Sequence, residues 1–361
     1  MTTDLILERR GAAGLITLNR PKALNALTHD MVRKLRPALE AWADDPAVAR
    51  VVIRGEGGKA FCAGGDIRAL YDLGRAGRHD EMLTFWREEY ELNILIKRFP
   101  KPFVALIDGI VMGGGVGLSI HGSHVVAGSN FAFAMPEVGI GFFPDVGGTW
   151  FLPRMPGETG TYAALTGARF KQGDALATGL ATHAVSSESF AALTEALTGL
   201  EPVDAILERF AAPPVPSGVT GHRGSIQRCF AFDTVDQVLA ALDHDAKALD
   251  AWCAATAATI RTKSPTSLKI AIEQVRRGAA LSFEAAMVLE FGIVSRICRG
   301  PDFYEGVRAV IVDKDNAPSW APATLDEVSI DAIAAYFAPL ERGSLVTPPA
   351  VAEWIQRRGS A

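Results

Sequence analysis

The chain has 361 residues, 48% hydrophobic and 21% charged, with 36 basic against 41 acidic side chains for a formal charge of −5. That length carries two domains, or one domain with a large appendage, and that composition buries a substantial core, which excludes disorder as the main state. A mildly acidic balance excludes a general nucleic-acid binder, though not a local basic pocket for a polyanionic ligand.

The opening MTTDLILERR carries an acid early and has no apolar run of signal-peptide length. Residues 4–9 and 14–19 are rich in Leu and Ile around Gly-Ala-Ala-Gly, which predicts a hairpin. Thr28 is a helix cap, followed by Met31, Leu35, Leu39 and Trp42 at helical spacing. Val51–Val52–Ile53 and Phe103–Val104–Ala105–Leu106–Ile107 are short buried strands, and His124–Ala127 and Phe131–Phe133 are two more. Between them lie Gly113–Gly114–Gly115 and a helix of small residues. Repeated strand–strand–helix units predict an α/β core of sheets packed on helices. Pro and Gly exclude regular structure near residues 211–224. Beyond it Trp252, Ile260, Leu268, Ile272, Val275, Met287, Leu289 and Ile293 fall in helix-length segments, and the tail from about 314 is Pro-punctuated with short helices. The expected division is a core over 1–205 and a helical region over 206–361. No stretch approaches the ~18 consecutive apolar residues of a membrane span. Cys62, Cys229, Cys253 and Cys298 lack paired spacing, so neither a disulfide framework nor a zinc site is expected, and the expected location is cytoplasmic. His121 and His124 lack a third clustered ligand, so no metal is expected.

Three segments hold the candidate chemistry. Gly55–Glu56–Gly57–Gly58–Lys59–Ala60 matches a dinucleotide fingerprint, but another Gly-rich turn follows where a helix should begin. That turn is Phe61–Cys62–Ala63–Gly64–Gly65–Asp66. Its glycines let backbone approach a ligand, and Asp66 caps the next helix. The glycines at 113–115 follow a strand and open a helix, whose free N–H groups favour an anion. Two such turns, each giving one N–H to a single oxygen, make an oxyanion hole. Finally, Glu137 and Asp145 stand eight residues apart across Gly139, Gly141 and Pro144. Those residues favour a folded-back loop with both acids facing one cavity. Phe142 and Phe143 would raise their pKa by desolvation.

The order Asn19–Arg20–Pro21–Lys22–Ala23–Leu24–Asn25–Ala26–Leu27, then FCAGGD, then Gly-Gly-Gly, then MPEVGIGFFPDVGG resembles the crotonase (enoyl-CoA hydratase/isomerase) superfamily. The resemblance implies a crotonase-like spiral of ββα units, an acyl-CoA thioester substrate and an oxyanion hole from the amides of Ala63 and Gly114. Family hydratases carry Glu where this chain has Gly117, and Gly where it has Asp145. Those departures resemble the branch of 3-hydroxyisobutyryl-CoA hydrolases. So do Phe85–Trp86–Arg87–Glu88–Glu89–Tyr90, Ser264–Pro265–Thr266–Ser267–Leu268–Lys269 and the segment from Asp302 to Trp320, so the likeness spans nearly the whole chain. It implies thioester hydrolysis in valine catabolism, with Glu137 and Asp145 catalytic and Glu89, Gly114, Glu137 and Asp145 on the substrate. Ala23, Leu24, Gly64, Gly65 and Asp66 complete the implied substrate-binding set. Coenzyme A is then part of the substrate, no cofactor is implied, and no nucleic acid or membrane partner; a homo-oligomer is compatible. The alternative is an enoyl-CoA hydratase or isomerase on the same fold.

Overall fold

The computed structural model describes residues 3–216, 218–247, 250–341 and 343–359. Strands β1 (Leu5–Arg10) and β2 (Ala13–Leu18) form the predicted hairpin, with left-handed Gly11 in its two-residue turn. β2 is buried along its whole length, as an apolar central strand must be. Thr28 Oγ1 accepts from Met31 N and starts α1 (His29–Asp44), which buries Met31, Val32, Leu35, Leu39 and Ala43. Trp42 lies over Gly14 so closely that a Cβ there would come within 2.5 Å of its ring.

Three strand pairs then repeat: β3 (Arg50–Gly55) with β4 (Ala60–Cys62), β5 (Phe103–Ile107) with β6 (Ile110–Met112), and β7 (His124–Ala127) with β8 (Ala132–Ala134). The first strand of each pair joins a six-stranded sheet of order β1-β2-β3-β5-β7-β10, closed by β10 (His183–Ala184). The second joins a four-stranded sheet, β4-β6-β8-β9, closed by β9 (Phe170–Lys171). Corresponding strands of successive pairs lie parallel, so each pair advances one place in both sheets. Helices α2 (Ile67–Arg75) and α3 (His79–Lys97) follow the first pair, and the short α4 (Gly114–Gly117) follows the second. This is the ββα spiral that the motif order implied. The dinucleotide reading of residues 55–60 fails because a strand, β4, follows the turn.

Helix Val203–Phe210 precedes the Pro-rich break. Its irregular part ends at Gly218, earlier than expected, because a 3-10 turn at Val219–His222 leads into helix Arg223–Cys229; Ser217 lies outside the described residues. The later helices Pro265–Gly278 and Phe283–Ile297 are capped by the hydroxyls of Ser264 and Ser282. The tail carries helices Ile330–Tyr336 and Pro349–Gly359, while Arg342, Ser360 and Ala361 lie outside the described residues. One apolar cluster includes residues from Leu5 to Trp354. No described helix is long and apolar enough to cross a membrane.

A loop between β2 and α1 ties the site's first turn to this frame. Leu24 and Asn25 have φ of 50° and 56°. Fully buried Asn25 accepts from Arg20 N through Oδ1 at 2.8 Å and donates through Nδ2 to Glu56 O and Ala60 O, each at 2.9 Å. Asn25→Ala strands the buried carbonyl of Ala60 and removes the partners of Glu56 O and Arg20 N, so a loss of about 2–4 kcal/mol is expected in urea unfolding. A loss under about 0.5 kcal/mol would show that the clamp is dispensable.

Candidate active site

The pairing of the smaller sheet decides where the site lies. Cys62 is in register with Val111, and Met112 with Ala134. The chain therefore leaves β4, β6 and β8 at neighbouring points, at their carboxyl ends. Ala63–Gly65, Gly113–Gly114 and Pro136–Glu137 emerge side by side. Gly113 (φ 45°) shows how tightly they meet. A Cβ there would lie 3.3 Å from Gly64 Cα and 3.5 Å from Glu137 Oε1. A Cβ on Gly114 would lie 2.6 Å from Glu89 Oε1 and 3.2 Å from Gly65 N. At Gly113 the positive φ favours glycine, and at either place a Cβ would press on the neighbouring turn or on Glu89.

These turns enclose a cavity of about 420 Å³. Ala63, Gly64, Gly65, Glu89, Gly114, Glu137 and Asp145 all line it, together with Phe85, Trp86 and Phe142. Trp86 stacks on Phe142 at 5.5 Å between ring centres, which makes one wall apolar. Ala23, Leu24 and Asp66 stand outside the lining. Ala23 is exposed; Leu24 O accepts the Ala63 amide at 3.0 Å; Asp66 caps α2 and pairs with Arg20 at 3.2 Å.

The Ala63 contact corrects one expectation. With its N–H held by Leu24 O, Ala63 is no free oxyanion donor. Two residues on, Gly65 forms a parallel bridge with Leu27, flanked by Leu27 N→Gly64 O and Asp66 N→Leu27 O. In such a bridge Gly65's own N–H turns away from Leu27. Neither Gly65 nor Gly114 gives its amide to an acceptor among the described residues. The free pair of amides is thus Gly65 and Gly114. The β4-to-α2 turn places the inward amide two residues later than the motif alone suggested.

Three carboxyl groups enter the cavity with little compensation. Glu89, Glu137 and Asp145 are 2%, 6% and 4% exposed. Glu89 Oε1 and Glu137 Oε2 have no partner among the described residues. Burial, reinforced by the charge of Asp145, pushes both glutamates well above the ordinary carboxylate range. Burial also pushes Asp145 up to about 7, against the pull of Tyr90, whose hydroxyl donates to Oδ2 at 2.8 Å. Lys263, half-buried in the cavity wall, is lowered by desolvation.

Several residues around Asp145 escaped the motif reading. Gln274 Nε2 donates to Pro144 O at 2.5 Å. His121 Nε2 bonds Val146 O at 2.7 Å, and burial lowers its pKa to about 3, so the ring is neutral and Nε2 carries the donated proton. Glu290 accepts the amides of Gly147 and Thr149. The available signal was an acid within an apolar stretch of a helix, as at Glu290 between Leu289 and Phe291 in Phe283–Ile297. His124 turns away from His121 to bond Asp204 and Ser123. One trio of potential metal ligands, Cys229, Asp245 and Cys253, comes within 4.8 Å among the described residues, away from the cavity lining, and Asp245 already pairs with Arg228 at 2.8 Å.

A family profile described as enoyl-CoA hydratase/isomerase matches residues 13–337. The protein named "3-hydroxyisobutyryl-CoA hydrolase, mitochondrial" from Xenopus tropicalis is 45% identical over 353 residues, 95% of this chain and 90% of that one. Its Homo sapiens namesake is 42% identical over 352 residues, with the same coverage. Among solved structures, a carnitinyl-CoA dehydratase from Mycobacterium thermoresistibile superposes with a TM-score of 0.90 at 42% identity, over 96% of this chain and all of that one. An enoyl-CoA hydratase from Rhodobacter sphaeroides gives 0.87 at 40% identity, over 95% of this chain and all of that one. The mitochondrial names of the curated relatives overturn the expected cytoplasmic location, which rested on the opening residues and the unpaired cysteines.

The titration of Asp145 is open to measurement. Its folded pKa of about 7 stands above the ordinary 3.8. Between those values the folded state holds the proton longer, so stability is lost as pH rises from about 4 to about 7 and levels off above. Asp145→Asn removes that loss. Its melting temperature, relative to the parent, should rise by about 3–8 °C between pH 4 and pH 8. A difference independent of pH would place the titration of Asp145 elsewhere.

Proposed function

The chain belongs to the enoyl-CoA hydratase/isomerase family, and within it we propose that the protein is a 3-hydroxyisobutyryl-CoA hydrolase, releasing 3-hydroxyisobutyrate and free coenzyme A. The observation that carries this choice is the surroundings of Gly117. A Cβ there would lie 2.7 Å from Asn93 Nδ2 and 2.9 Å from Val146 Cβ. The place of the first hydratase glutamate is therefore filled by Asn93 and by the loop that carries Asp145. Two-glutamate hydration has no room, and an extra carboxyl enters the cavity instead. The names of the curated relatives support the same reading.

In this reading the thioester oxygen lies between the amides of Gly65 and Gly114, which stabilise the negative charge that develops as the carbonyl is attacked. Loss of one such donor costs about 3–4 kcal/mol in comparable sites. Glu137, ionised, gives an electron pair either to the carbonyl carbon or to a proton of the attacking water. The first route passes through an anhydride that water opens; both end with the C–S bond broken and the thiol protonated. Asp145 titrates near neutrality, which suits passing that proton. Tyr90 occupies one oxygen of Asp145, and the other takes the 3-hydroxyl of the substrate. Glu89, whose burial favours the protonated form, binds the same hydroxyl end. Lys263 serves the anionic coenzyme A end, with Ala23 and Leu24 on the rim. Coenzyme A is then substrate and not a resident cofactor, and the setting is valine breakdown.

Thiol release from 3-hydroxyisobutyryl-CoA tests the assignment, with crotonyl-CoA hydration as the rival activity. Hydrolysis should dominate; efficient hydration without thiol release would favour the hydratase reading. Glu137→Gln should lower kcat by about 10²–10⁴ with acyl-CoA binding retained. Retained turnover at saturating substrate would remove Glu137 from the chemistry. Asp145→Asn should harm 3-hydroxyisobutyryl-CoA far more than isobutyryl-CoA, since a site built to bond a hydroxyl penalises a lost partner. Equal fractional losses in kcat/KM would assign Asp145 to acid–base work on any thioester.

A further inference from the structure

We propose that Glu290 is a positioning residue for the reaction, holding the backbone that aims Asp145 into the cavity. The inference rests on the reading of Asp145 given above. Glu290 is fully buried on helix Phe283–Ile297, among Phe283, Met287, Phe291 and Val294. A carboxyl there has no role in packing an apolar face. Its two oxygens instead accept the amides of Gly147 (2.8 Å) and Thr149 (2.9 Å), on either side of Gly148.

Those amides follow a strained residue. Val146 has φ 49°, and a β-branched residue in the left-handed region persists only where its surroundings impose it. Gly147 continues the departure at φ 92°. Gln274 and His121 hold the carbonyls of Pro144 and Val146, and Tyr90 holds the Asp145 carboxyl. Glu290 alone among these takes the amides on the far side of the strain. Without those two acceptors, the peptide after Val146 is free to relax toward an extended conformation, and Asp145 leaves its line. Small misplacement of a reacting group costs turnover much more than binding.

The test is a double-mutant cycle on thiol release. Glu290→Gln keeps the size but sets an NH₂ against a backbone N–H. It should lower kcat about 10–100-fold, with KM for 3-hydroxyisobutyryl-CoA within about threefold. Added to Asp145→Asn, it should cause little further loss, because both act through one carboxyl. Val146→Gly, which adopts φ 49° without strain, should restore part of the lost kcat. Should Glu290→Gln fail to fold alone, the cycle is run in the Val146→Gly background. Fully additive losses, or unchanged kcat in folded Glu290→Gln beside an impaired Asp145→Asn, would overturn the proposal and leave the reading of Asp145 standing. An unimpaired Asp145→Asn would overturn that reading, and the proposal with it.

Discussion

Parallel pairing of β4, β6 and β8 is the constraint on which the site depends. Each strand has only three residues; β6 and β8 end level, and β4 ends opposite the residue before the end of β6. Three turns distant in sequence must then leave the sheet together. Gly113 and Gly114 are the narrowest point of that meeting, with Gly64, Gly65, Glu89 and Glu137 all packed against them. A side chain on either glycine would press on those neighbours, beside the two free amides. The six-stranded sheet repeats the same advance with longer strands, so the large sheet supplies the rigidity that the short strands lack.

The second feature of the site is three carboxyl groups that form no ion pair among the described residues. Three carboxyl groups share a cavity whose nearest aromatic wall is Trp86 and Phe142. In water each would be ionised well below neutral pH; here desolvation raises all three, and the charge of Asp145 raises the two glutamates further. The protein accepts a stability cost at that place, because a carboxyl near neutrality can both take and return a proton. Asp145 differs from the two glutamates in having a donor, Tyr90, which steadies its charged form.

Residues from the later helices explain why the chain extends so far beyond the spiral. Gln274 and Glu290 reach back to the loop of Asp145, and Lys263 reaches the cavity wall. The Asp302–Ser264 contact fixes the start of the helix that carries Gln274, while Glu290 stands one helix later. The loop from Pro144 to Thr149 is thus gripped by side chains of α3, of the segment after α4, and of two C-terminal helices. A loop with two consecutive residues at positive φ requires that much support.

The sequence by itself determined the family and many of the local elements. Apolar runs and helical spacing located the hairpin, α1 with its Thr28 cap, and β3, β5 and β7 of the large sheet, because those signals are local; the two-residue β10 carried no such signal. The family resemblance carried by the motif order pointed to Glu89, Gly114, Glu137 and Asp145, and the fold brings all four to the lining of one cavity. The tertiary structure decided which amides point inward: Ala63 is claimed by Leu24, a contact 39 residues away in sequence, and Gly65 is left free. It also decided that Gly117 cannot carry a side chain, because Asn93 and Val146 converge on it from separate elements. Glu290 and Gln274 lay beyond any motif for the same reason. Their roles consist of hydrogen bonds to backbone atoms about 130–140 positions earlier in the chain, and backbone partners leave no residue-type signature in a sequence.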